Sequence, residues 1–111
     1  MAHITGGGLP GNVARIIPEG LRAHLLVEPA RIDPIFTLLQ KMGNVPVEDM
    51  YSTFNMGAGF VLVVEASDEE AILKRLAKLG ENAFPLGSIE ETAKGPKVLL
   101  SAPPLPGTPL F

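Results

Sequence analysis

Ala2-His3-Ile4-Thr5-Gly6-Gly7-Gly8-Leu9-Pro10 contains three consecutive glycines, and the rest of the chain is best understood from them. Glycine turns the backbone through conformations closed to other residues, so successive amide hydrogens can point into one concavity. Such a concavity takes an anion. Asn12 is expected to cap a short helix over Val13–Ile17, stopped by Pro18, whose positive end adds to the same field. Thr5 offers a hydroxyl, and His3 an imidazole able to exchange a proton near neutral pH. The Lys-Ser/Thr that closes a nucleotide-binding P-loop is absent, and the glycine spacing does not fit the dinucleotide fingerprint. A flexible glycine leader with no ligand is the competing reading of the same residues.

Downstream, Leu21, Ala23, Leu25 and Val27 alternate with Arg22 and His24, the period of a strand with one buried face. Asp33-Pro34 is a cap and first-turn pair, and Ile35, Leu38, Leu39 and Met42 form one apolar stripe of a helix ending at Gly43. Pro46–Tyr51, with Glu48 and Asp49 in its first turn, reads as a short helix. Phe60–Glu65 has no polar interruption before Glu65 and is expected to be a central strand covered on both faces. Ser67 and Glu70 form a capping box for a helix with Ile72, Leu73, Leu76 and Leu79 on one face and Gly80 at its end. Strands are expected at Ala83–Glu90 and Lys97–Ser101, with Pro85 placing the first near an edge. The order αβααβαββ predicts an α+β fold with helices on a mixed sheet. Residues 1–101 are assigned to this domain. Residues 102–111 contain four prolines and are read as an extended tail outside the core.

The length of 111 residues suits one core. Zero Cys excludes thiolate zinc sites, thiol nucleophiles and disulfides from this chain, and two His make a His-based metal site a poor expectation. The net charge of −3 with dispersed basic residues argues against nucleic acid as a partner. The apolar run Ala58–Val64 is far short of the roughly 20 residues that span a bilayer, so no membrane partner is expected. No signal peptide is read, which makes the cytoplasm the expected compartment.

Several motifs carry a resemblance. A-H-I-T-G-G-G-L-P at Ala2–Pro10, N-V-A-R at Asn12–Arg15 and I-P-E-G at Ile17–Gly20 come first. P-I-F at Pro34–Phe36, L-Q at Leu39–Gln40, G-N-V at Gly43–Val45, E-x-M-Y at Glu48–Tyr51, T-F-N-M-G-x-G at Thr53–Gly59 and A-F-x-L-G at Ala83–Gly87 follow in order. In this set the chain resembles the carboxy-terminal domain of the phosphoribosylformylglycinamidine cyclo-ligase (aminoimidazole ribonucleotide synthetase) family over about its first ninety residues.

The resemblance implies a three-layer α/β/α domain, partly ferredoxin-like. It implies an ATP-dependent ring closure in purine biosynthesis that converts formylglycinamidine ribonucleotide to aminoimidazole ribonucleotide. ATP and Mg would be held largely by an amino-terminal ATP-binding domain, with none held by this chain alone, and the complete enzyme would be a homodimer. On this reading Gly6, Gly7 and Gly8 cradle a phosphate with Thr5 in support, and Arg15 pairs with a phosphate or is a solvated surface charge. His3 orients or exchanges a proton with the substrate, or only ends a strand. Asn12, Asn55, Gly57 and Gly59 support the site's shape. A non-catalytic module that keeps the fold and binds a phosphorylated ligand, or assembles with a partner, is the alternative function.

Overall fold

In a computed structural model, which describes residues 1–106, the chain forms a mixed α+β fold. Strand β1 (Ala2–His3) leads through the glycines into helix α1 (Gly8–Ala14), followed by β2 (Leu21–Leu26), α2 (Pro34–Gly43) and α3 (Val47–Thr53). β3 (Phe60–Val61), α4 (Glu69–Lys78), β4 (Gly87–Glu91) and β5 (Val98–Ser101) complete the order. β2 is the centre of a mixed sheet, antiparallel to β4 with Ala23 opposite Ile89, and parallel to β5 with Ala23 opposite Val98. Its alternation is the expected one: Ala23, Leu25 and Val27 are buried, while His24 and Leu26 face out. β1 and β3 form a separate antiparallel ribbon, with Ala2 opposite Val61 and His3 opposite Phe60. α1 packs against both β5 and α3, so Leu9 and Val13 sit at the junction of helices and sheet, each about 1% exposed.

Several local expectations are corrected. α1 starts at Gly8 rather than after Asn12, which lies inside the helix and caps nothing. Its end is tightened by Ile16 N–H donating to Val13 O and Ile17 N–H to Ala14 O, well before Pro18. Ser67 lies in a 3₁₀ turn over Ala66–Asp68, and Asp68, not Ser67, precedes α4. β4 begins at Gly87, beyond Pro85, where the backbone approaches β2 so closely that a Cβ on Gly87 would lie 1.8 Å from His24 O.

Two departures concern apolar faces. Only Phe60 and Val61 of the Phe60–Glu65 run are paired, and Phe60, Leu62, Val63 and Val64 are 58%, 39%, 47% and 40% exposed. A cleft of about 1030 Å³ lies among this run, Ile72, Leu73 and Leu76 of α4, and Phe84–Ile89. An uninterrupted apolar run reports a preference for leaving water, and it carries no information on which element does the covering. In α2 the stripe faces outward: the buried residues are Thr37 and Gln40.

The segment read as a tail is in part a core element. Leu105 is 2% exposed and belongs to the main cluster of buried side chains. Tyr51 Oη donates to Pro103 O at 2.8 Å, and Thr37 Oγ1 donates to Pro106 O at 3.0 Å. Residues 107–111 of the expected tail lie outside the described residues.

Leu105→Ala is expected to cost about 2–4 kcal/mol of unfolding free energy in urea titrations, as for any large-to-small change in a packed core, whereas a free tail gives no change. Burial raises the Tyr51 hydroxyl above its ordinary value. The folded state therefore holds the proton more tightly than the unfolded chain, and Tyr51 contributes stability that is intact below about pH 10 and declines above it. Tyr51→Phe should flatten that alkaline decline in a pH series of melting curves.

Candidate functional site

The glycine loop is organised by one buried side chain. Asn12, 3% exposed, directs Nδ2 at Thr5 O (3.1 Å), Gly6 O (3.3 Å) and Gly8 O (2.9 Å). Thr5 Oγ1 donates to Asn12 Oδ1 at 3.3 Å. In a trans peptide the carbonyl and the next residue's N–H point in opposite directions, and there are no cis bonds among the described residues. Drawing the Thr5 and Gly6 carbonyls toward Asn12 therefore turns the Gly6 and Gly7 amides away from it, toward solvent. Neither amide donates to an acceptor among the described residues, and both glycines are exposed.

Gly8 has a different task from its neighbours. Its amide donates to Thr5 O at 3.0 Å and is spent within the loop. It has φ 62°, and a Cβ there would lie 1.9 Å from Tyr51 O. Only glycine allows α1 to lie this close to α3. Of the expected three-amide cradle, two amides remain available. Thr5's hydroxyl faces Asn12, which makes it a brace for the loop in this conformation.

The second motif, Thr53–Gly59, folds onto the first. Asn55 Oδ1 accepts from Gly57 N–H at 2.8 Å, closing a turn in which Met56 (φ 55°) and Gly57 (φ 99°) are left-handed. Gly57 passes so near the chain at Arg31 that a Cβ would come within 2.8 Å of Arg31 O. Gly59 O accepts from Ile4 N–H at 3.0 Å, which extends the β1–β3 ribbon by one rung. Asn55, Gly57 and Gly59 thereby hold Ile4, and with it the root of the glycine loop.

His3 is exposed on this ribbon with its ring 6.1 Å from that of Phe60, the planes inclined by 30°. Its imidazole is open to solvent beside an aromatic face. Arg15 sits at the C-terminal end of α1, roughly 10 Å along the axis from Gly8 at about 1.5 Å per residue, at the opposite end of the helix from the loop. His24, on β2, pairs with Glu90 at 2.5 Å on the exposed side of the sheet, apart from the loop. No group of three or more His, Cys, Asp or Glu that could hold a metal ion occurs among the described residues.

Sequence reasoning missed two features. The three-carbonyl grip of Asn12 gave no signal, because an Asn just before an apolar helical pattern has the form of a cap. Phe60 beside His3 depends on the pairing of two strands far apart in the chain.

The glycines can be separated by substitution. Gly8→Ala combines a positive φ with a backbone collision and is expected to lose more than about 3 kcal/mol, or fail to fold. A Cβ added at Gly6 would meet nothing within 4 Å. Gly6→Ala should therefore stay within about 0.5 kcal/mol of the parent in denaturant unfolding.

The family described as AIR synthase related protein, C-terminal domain, matches residues 1–97. A phosphoribosylformylglycinamidine cyclo-ligase of Pseudothermotoga lettingae is 46% identical over 95 residues, which is 86% of this chain and 28% of the relative. Those of Trichlorobacter lovleyi (49% over 94 residues; 85% and 27%) and Brevibacillus brevis (44% over 90 residues; 81% and 26%) are similar. The chain thus spans under a third of the length of these relatives. With a family match over nearly the whole chain and both glycine motifs joined in one structure, the chain belongs to the AIR synthase related proteins and corresponds to their C-terminal domain.

Proposed function

We propose that this chain is the carboxy-terminal part of an ATP-dependent cyclo-ligase that converts formylglycinamidine ribonucleotide to aminoimidazole ribonucleotide, releasing ADP and phosphate. The observation that carries the reading is the pair of outward amides at Gly6 and Gly7, held by Asn12 on the loop that follows the strand bearing the exposed His3. Two adjacent N–H groups on a loop are suited to a phosphate oxygen of the ribonucleotide or of ATP. His3, one strand residue upstream of Ile4, is the group positioned to orient or exchange a proton with the amidine or formyl group.

ATP and its Mg belong to an amino-terminal domain. Ligands on that other domain would hold the Mg, which would there supply charge stabilisation to the phosphates. The complete protein is a cytoplasmic homodimer, and in it the mixed sheet and its helices form a three-layer, partly ferredoxin-like arrangement.

The test is reconstitution. The isolated chain should show no cyclo-ligase turnover, and turnover should appear when a purified amino-terminal domain of the family is added. In the reconstituted pair, Gly6→Val keeps the N–H but sets an isopropyl group in the open space beside it, and should reduce kcat/KM about 10–100-fold by blocking approach of a charged oxygen, while the melting temperature stays within a degree or two. Turnover by the chain alone, or full activity of Gly6→Val, would refute the assignment.

A further inference from the structure

Strand β1 and the glycine loop carry one exposed row. Ala2, Ile4 and Gly8 are buried, whereas His3, Thr5, Gly6 and Gly7 are exposed, so the imidazole and the two outward amides belong to the solvent side of one short segment. Three peptide units join His3 to Gly6, which holds their Cα atoms within about 11 Å of each other. The register of the ribbon adds a second ring. Phe60 is the cross-strand partner of His3 and is 58% exposed, while Val61 beside it is buried. The two ring centroids are 6.1 Å apart and the planes are inclined by 30°, nearer parallel than perpendicular, at a separation where aromatic pairs attract. Stacking uses the faces of the rings, and the ring nitrogens of His3 lie at its edge, so contact with Phe60 leaves them able to hydrogen-bond.

We propose that Phe60, together with the imidazole of His3, is a platform for the planar nitrogenous ring of a phosphorylated ribonucleoside whose phosphate lies on the Gly6 and Gly7 N–H groups. The inference rests on the anion-binding reading given above and adds to it a residue and a selectivity. A planar unsaturated group gains from an open aromatic face, and a charged oxygen gains from the amides. A nucleotide carries both on one short sugar frame. A bare sugar phosphate meets the amides only, so Phe60 is the group that distinguishes the two. Stacking accepts any π face, which makes the platform suited to an imidazole or an adenine ring, with the phosphate fixing which end of the ligand is held.

The chain contains only two histidines, so His3 and His24 give separable imidazole C–H signals in proton NMR of the full 111-residue protein. His24, paired with Glu90 on β2, is the internal control. Adenosine 5′-monophosphate and 5-aminoimidazole-4-carboxamide ribonucleotide, at millimolar concentration, should move the His3 signals upfield through the ring current of the added base and leave those of His24 in place. Ribose 5-phosphate should perturb the Gly6 and Gly7 amide signals without that upfield movement, and should bind about 10-fold more weakly. Phe60→Leu should lower the affinity for both ribonucleotides to that for ribose 5-phosphate, and Phe60→Tyr should retain most of it. Neither substitution should change the melting temperature, because the side chain is more than half exposed. The ribonucleotide with the larger loss identifies the ring, adenine or imidazole, that the platform favours. Equal affinity for ribose 5-phosphate and both ribonucleotides, or no effect of Phe60→Leu, would overturn the platform and leave the amide site standing. No response of Gly6 and Gly7 to any of the three phosphates would overturn the platform together with the anion-binding reading beneath it.

Discussion

The carboxamide of Asn12 reaches three carbonyls at once, and the arrangement of everything before α1 follows from that grip. Pointing the Thr5, Gly6 and Gly8 oxygens at one buried nitrogen demands positive φ at Gly7 and Gly8, which only glycine supplies without strain. The glycine at position 8 then removes the Cβ that would collide with Tyr51 O, so α1 settles on α3. α3 ends in the turn braced by Asn55, and that turn delivers Gly59 O to Ile4 N–H. The path returns to the residue before Thr5. Because the circuit is closed, a change at Asn12 removes the one donor shared by the Thr5, Gly6 and Gly8 carbonyls and loosens both motifs together.

α3 is also a wall for the other end of the chain. A segment with no strand or helix partner normally leaves amides unsatisfied when it enters a core. Here Pro103, Pro104 and Pro106 have no amide hydrogen to satisfy, and the carbonyls of Pro103 and Pro106 accept from Tyr51 and Thr37. Leu105 supplies the apolar anchor, buried between the exposed Pro104 and Pro106. The same contacts explain why α2 turns its polar side inward, since Thr37 is a ligand for that segment.

Elements with a local physical signature were legible in the sequence. The alternation around Ala23 and Leu25, the Asp33-Pro34 start of α2 and the left-handed glycine after α4 each follow from the stereochemistry of a few neighbouring residues, and the structure has all three. The turn at Asn55 was legible for the same reason. What the chain does not encode locally is the identity of a neighbour. The α2 stripe and the Phe60–Val64 run are apolar by any measure, yet both are largely exposed. Asn12 belongs to the same class: its side chain acts backward on residues four to seven positions earlier, an arrangement that the form of a helix cap conceals.

Those exposed faces and the candidate site occupy different mechanical situations. The outward amides of Gly6 and Gly7 are set by contacts made entirely within residues 1–59: Asn12, Gly8 on α3, and Gly59 on Ile4. A loop fixed in this way has met its ordering cost during folding, and its two outward N–H groups are oriented by contacts within the chain itself. The apolar faces of α2 and of the run after β3 lie outside that circuit. A contact made on either face therefore does not act directly on the orientation of the amides.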